Sequence, residues 1–168
     1  MTILTKEFLQ KEIRAKRVVI SPYNPKNIGP GSIDLTLSNN MRKFKEVWRT
    51  FDVKEGADYK NITEELKIKE YYILEPAETI LIITKEKVTL PKDLCGWIFT
   101  RSRFARLGLI TNTSFVQPGS SNNPVLEIHN IGPRPLAIYP GTKVCQLVIG
   151  RTEGEAKYKG KFKQQKKV

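Results

Sequence analysis

The chain has 168 residues, of which 39% are hydrophobic and 27% charged, and it carries a formal net charge of +12. Such a length and composition suit one soluble domain, residues 1–168, with a core of its own. No apolar run reaches bilayer-spanning length, and the opening MTILTKEF is not a signal peptide, so no membrane is expected and the expected location is the cytoplasm.

Thr5 is placed to cap a first helix running to about Ala15, with Leu4 and Leu9 as its hydrophobic staple. Arg17 to Ile20 reads as a short strand, and the Pro-, Gly- and Asn-rich stretch from Ser21 to Gly31 as a loop. Ile33, Leu35 and Leu37 then alternate with polar residues, which predicts a half-buried strand. Met41 to Val53 is expected to be a further strand or hairpin, and Lys54 to Glu65 an exposed polar excursion. Tyr71–Leu74, Thr79–Thr84, Leu94–Phe99, Leu109–Val116, Pro124–His129, Leu136–Tyr139 and Lys143–Ile149 all read as strands with turn residues between them. The expected architecture is therefore mainly β, a distorted barrel or jelly roll with a short N-terminal helix and one short helix near 101–107. Cys95 and Cys145 sit in separate apolar runs and are expected to be buried free thiols. From Arg151 to the end seven basic residues face only Glu153 and Glu155. This basic tail, 153–168, is expected to be mobile when nothing is bound.

The densest chemistry lies between Thr100 and Glu127. If Thr100 caps the short helix, Arg101 and Arg103 occupy its first turn, the wrong end for cations unless an anion binds there. Ser102 and Arg106 share one face, and Phe104 and Leu107 point toward a core. A surface turn with solvated arginines remains the other reading. A small polyanion such as a nucleoside triphosphate accounts for the cluster as well as a nucleic acid would. No basic recognition helix or zinc-finger spacing is present, so no nucleic-acid partner is expected. With one histidine, His129, and two cysteines far apart, neither a catalytic zinc nor a serine triad has its ligands. Glu127 sits in an apolar strand and either faces water or points into a pocket. In a pocket, with Arg106 to hold it ionised, it would serve as a general base.

The run Arg101-Ser102-Arg103-Phe104-Ala105-Arg106-Leu107-Gly108-Leu109 resembles the R-S-S-x-A-R-x-G-L segment of dCTP deaminases, in the dCTP deaminase and trimeric dUTPase superfamily. Further stretches agree in order: Gly31 to Leu35, Val88 to Pro91, Gly96-Trp97, Pro118-Gly119, Val125 to Glu127, Pro140-Gly141 and Ala156 to Tyr158. The resemblance implies a jelly-roll homotrimer with active sites shared between subunits. It also implies hydrolytic deamination of dCTP to dUTP and ammonia, without zinc, with Mg2+ carried on the triphosphate and dUTP or dTTP as product or regulator. Carried over by position, Glu127 is the general base and proton shuttle, with Ser102 and Arg106 beside it. Arg101 and Lys157 contact phosphates, Tyr158 and the tail close over the nucleotide, and Val125 holds the base through its backbone. Gln146 resembles a glutamine that touches phosphate in the dUTPase branch.

Three positions depart from that pattern. Arg103 replaces a serine, Lys161 replaces a tail glutamine, and Gln117 replaces an aspartate that activates water in dUTPases and meets the 3′-hydroxyl in deaminases. The loop from Gly108 to Pro118 is also shorter, which moves an expected backbone contact to cytosine onto Thr113 or Ser114. Because an amide cannot take a proton from water, dUTP is expected to be the end product. The alternatives are a dUTP diphosphatase and a non-catalytic nucleotide-binding member.

Overall fold

The computed structural model describes residues 2–46, 49–113, 115–162 and 165–168. Its helix Lys6–Arg14 begins after Thr5, which is extended but makes no side-chain cap hydrogen bond. The entry angle is set instead by Leu4 and Leu9, which are 3% and 1% exposed and form the expected staple. Glu7 in the first turn and Lys11 and Arg14 in the last complement the helix dipole. Buried Glu12 accepts from Arg17 Nε at 2.7 Å and from Arg151 Nη2 at 2.9 Å, which ties the helix to the strand Cys145–Arg151.

That strand is the centre of one sheet. It pairs antiparallel with Leu94–Thr100 along its whole length, and its ends pair with Ile33–Leu35 and Thr2–Ile3. A second, five-stranded sheet runs in the order Leu109–Asn112, Val125–Asn130, Thr79–Thr84, Leu37–Phe44, Thr63–Lys67. Two smaller sheets complete the body, which is mainly β as expected. Its sheets stay open among the described residues and do not close into a barrel. Ile80, Ile82, Leu126 and Ile128 are fully buried on the inner face of the five-stranded sheet. The two-residue period then forces Val125, Glu127 and His129 onto the outer face. There Glu127 lies opposite Leu81 on one side and Asn112 on the other.

Three local expectations change. The end of the polar excursion belongs to an edge strand, Thr63–Lys67, because Arg42 on the neighbouring strand captures it. Arg42 is 6% exposed and donates to Thr63 Oγ1 at 2.7 Å, to the Thr63 carbonyl at 3.1 Å and to Glu65 at 2.9 Å. Residues 47 and 48 of the expected hairpin lie outside the described residues. The short helix is Ser102–Ala105 and its cap is Arg101, one residue late. Thr100 is unavailable because its hydroxyl accepts from the Thr111 amide at 2.7 Å. Phe104 packs against the core, but Leu107 is 61% exposed. Gly108 ends the turn at φ +87°, and a Cβ there would come within 2.8 Å of the Gly132 backbone, so no other residue fits. Cys95 and Cys145 are buried free thiols, both pushed up in pKa by burial. Among the described residues no helix is long and apolar enough to cross a membrane.

Candidate active site

A cavity of about 340 Å³ opens on the outer face of the five-stranded sheet. It is lined by Leu81, Val125 and Glu127 of the sheet, by Phe44 and Tyr59, and by Tyr158 and Phe162 of the tail. Glu127 is the one acidic residue that lines it among those described. Burial raises its pKa, and its own backbone N–H offsets only part of that. The expected Arg106 partner is not there. Within one chain the carboxyl is destabilised as an anion, the opposite of the charge pairing read from the sequence.

The remaining wall comes from Gln117-Pro118-Gly119-Ser120. Proline second and glycine third, with Gly119 at φ +68° and the Ser120 amide donating to the Gln117 carbonyl at 3.2 Å, make a type II turn. The turn is fixed at its corners. Gly119 N donates to Pro91 O at 3.0 Å, and Leu90 N donates to Ser120 O at 3.0 Å. Both Gln117 and Ser120 line the cavity.

The tail lies against the body in this structure. Thr152 N donates to Asp93 O at 3.0 Å, Ala156 N to Lys92 O at 2.9 Å and Tyr158 N to Pro118 O at 2.9 Å. Farther on, the Phe162 carbonyl accepts from Asn122 Nδ2 at 3.0 Å, and Lys161 Nζ is 3.7 Å from Asp58. Val168 is buried against Leu81, Ile83, Tyr59 and Val125. Lys157 rests on Gly119, where an added Cβ would sit 3.4 Å from the Lys157 Cα.

Of the residues read from the sequence, Thr113, Gln117, Val125, Glu127 and Tyr158 meet at this cavity. The Val125 carbonyl is already engaged, accepting from Thr113 Oγ1 at 2.6 Å. Ser114 lies outside the described residues. Arg101, Ser102, Arg103, Arg106 and Gln146 belong to a second group that does not line the cavity. Arg101 Nε is 3.3 Å from Asp34, and its Nη1 donates to the Lys143 carbonyl at 3.0 Å. Gln146 accepts from Ser32 Oγ at 3.2 Å, and Ser102, Arg103 and Arg106 are exposed. Asp34 lies beside this group because it pairs in register with Gln146. Sequence reasoning missed Tyr59, Phe44 and Ser120. The Q-P-G-S signature would have placed Ser120 beside Gln117, whereas nothing local to Tyr59 announces its position.

This body is shared with nucleotide-handling enzymes of known structure. It superposes on the crystal structure of 2′-deoxycytidine 5′-triphosphate deaminase from Agrobacterium tumefaciens with a TM-score of 0.70 at 20% identity, covering 90% of this chain and 48% of that one, about half its length. A dUTPase of Staphylococcus bacteriophage 80alpha gives a TM-score of 0.52 at 14% identity, over 86% of this chain and 90% of that one. In sequence, a family model described as dCTP deaminase-like matches residues 3–152. The chain belongs to the dCTP deaminase-like family. One relative, from Persephonella marina, is 34% identical over 167 residues, 98% of this chain and 93% of that protein; another, from Methanosphaera stadtmanae, is 33% identical over 177 residues, 95% and 90% respectively. Both carry the name dCTP deaminase, dUMP-forming. The end product in those names is dUMP, against the dUTP expected from Gln117.

Proposed function

We propose that the chain removes the 4-amino group of dCTP by water and that the triphosphate of the resulting dUTP is then cleaved to dUMP and diphosphate. The observation that carries the first step is Glu127, a partly desolvated carboxylate that lines a nucleotide-sized cavity. Attack on C4 of cytosine requires a base to take a proton from water. It then requires an acid to protonate N3 and the departing ammonia. One carboxylate with a raised pKa can serve in turn as base and acid. Lys157 and Arg101 would contact phosphates, and Arg103 and Lys161 would add charge nearby. Tyr158 would cover the nucleotide, Gln146 would serve the phosphate end, and Mg2+ would arrive on the substrate. No zinc is assigned. Among the described residues no three His, Cys, Asp or Glu gather into a metal-binding group, and a zinc hydrolase needs three protein ligands.

The second step follows the relatives' names and needs a second attack by water, at phosphorus. Gln117, an amide, cannot activate that water. Gln117 also favours a second reading, in which the reaction stops at dUTP. Chromatography of a dCTP and magnesium reaction separates the two. Diphosphate released in equal amount with ammonia is the expected result; ammonia with accumulating dUTP would establish the second reading.

The raised pKa of Glu127 predicts a pH profile. A general base works only when ionised, so activity is lost as pH falls through its pKa. Burial moves that loss to higher pH than an ordinary glutamate would give. Plotted against pH, kcat/KM should show its acidic limb displaced upward. A limb at or below the position of a free glutamate would show that a cation from a neighbouring subunit, such as Arg106, outweighs the burial.

The two separated groups support an assembly in which Ser102, Arg101 and Arg106 of one subunit complete the Glu127 cavity of another. A closed homotrimer is the arrangement the resemblance implies.

A further inference from the structure

The arginines of the segment 101–106 are held very differently. Arg103 and Arg106 are exposed and make no ion pair among the described residues. Arg101 is braced. Its backbone N donates to the Val144 carbonyl at 2.9 Å, its Nη1 donates to the Lys143 carbonyl at 3.0 Å, and its Nε lies 3.3 Å from Asp34 Oδ1. Its Nη2 makes no hydrogen bond or ion pair among the described residues, and the side chain is still 28% exposed. A guanidinium carries its N–H donors in a rigid planar fork, so fixing two of its nitrogens fixes the direction of the third.

Asp34 reaches this place by strand pairing. Ile33 and Leu35 are buried, so the two-residue period turns Asp34 to the other face, where Gln146 and then Phe99 follow it in register. Arg101 comes two residues after Phe99, in extended backbone, and meets Asp34 on the diagonal. A carboxylate is out of place beside an anion site, because its charge repels the ligand. A partly exposed ion pair adds little to fold stability in compensation. The gain lies in the side chain it holds. A free arginine gives up rotamer freedom when it takes hold of a phosphate, and one already fixed gives up less. Resting on the reading of Arg101 as a phosphate contact, the geometry points to Asp34 as a positioning residue that fixes the Arg101 fork before the nucleotide arrives. Lys143 Nζ, 3.9 Å from Asp34 and donating to Asn27 Oδ1 at 3.3 Å, offsets the charge of the carboxylate and keeps the cluster net positive. The two effects of Asp34 on an anion oppose each other and differ in range. Repulsion is screened over about 8 Å at physiological salt. Fixing the fork is a conformational effect that salt does not screen, so at that ionic strength positioning dominates.

The test is a double-mutant cycle on Asp34→Asn and Arg101→Ala, with the dissociation constants of dCTP and of inorganic tripolyphosphate measured at physiological ionic strength. Asparagine keeps the size of the side chain and removes its charge. Asp34→Asn alone should weaken both ligands about two- to tenfold, the range for ordering one flexible side chain. In ammonia release from dCTP the loss should fall on KM with kcat little changed, because ground state and transition state lose the same contact. In the Arg101→Ala background the same substitution should cost nothing or tighten binding, since only repulsion is left to remove. Unchanged or tighter binding in the otherwise wild-type chain would overturn the assignment and leave Asp34 as a repelling charge. A loss for dCTP without one for tripolyphosphate would overturn it by placing the effect away from the phosphates. An equal loss with Arg101 absent, or a marked fall in melting temperature, would overturn it by showing that Asp34 serves the fold. Binding is read without turnover, which keeps the two ideas apart. Coupling between the two residues with no ammonia from the wild-type protein would remove the deaminase reading and leave the role of Asp34 standing. Ammonia without coupling would do the reverse.

Discussion

Replacing Glu127 with glutamine should lower kcat for ammonia release from dCTP by about a hundred- to ten-thousandfold, the range that one general acid–base group contributes. Glutamine keeps the size of the side chain and one of its acceptor oxygens but cannot take the proton. Affinity for dCTP should change little, since the phosphates are held elsewhere. The same variant should melt higher at neutral pH. A carboxyl whose folded pKa is raised favours folding only while protonated, and that contribution is lost as pH rises through the folded value. Once ionised, the buried Glu127 is therefore a cost to the fold of the chain, and glutamine removes it. The Tm advantage should shrink as pH falls toward the acid range. A variant that is both as active and no more stable than wild type would disprove the placement of this carboxylate.

The second large effect concerns where a complete site is assembled. Glu127→Gln and Arg106→Ala should each be nearly inactive alone. Co-expressed in equal amounts, they should recover about a quarter of wild-type activity. In a closed cyclic oligomer that share of sites pairs an intact Glu127 from one subunit with an intact Arg106 from its neighbour. Recovery needs the two residues to come from different chains. If they act within one chain, every site in the mixture carries a defect and no activity returns. The separation of the Arg101–Gln146 group from the Glu127 cavity makes recovery the expected outcome.

Much of this architecture is legible in the residues. The alternation of Ile33, Leu35 and Leu37 states which face is buried, and all three are almost wholly covered. The strand Thr63–Lys67 was unreadable for a physical reason. Its charged side chains are outward on an edge, so the residue that defines it, Arg42, lies about twenty positions away. Glu127 shows the limit more sharply. Alternation assigns it to the outer face, but whether that face meets water depends on the Gln117–Ser120 turn and the tail. Arg101 was readable as a cation and not as one already paired, because Asp34 reaches it through strand register.

The backbone bonds from Thr152, Ala156 and Tyr158 to Asp93, Lys92 and Pro118 have a consequence for how the side chains of the tail compete for a ligand. Lys157 sits between two anchored residues, Ala156 and Tyr158. Closing a loop costs free energy only slowly with its length, and here almost no free length remains. Lys157 is therefore held beside the Gln117–Ser120 turn as a tethered group, at an effective concentration on the order of millimolar or above for a ligand that reaches it. A detached peptide carrying the same lysine and tyrosine would have to be supplied at comparable concentration to replace it.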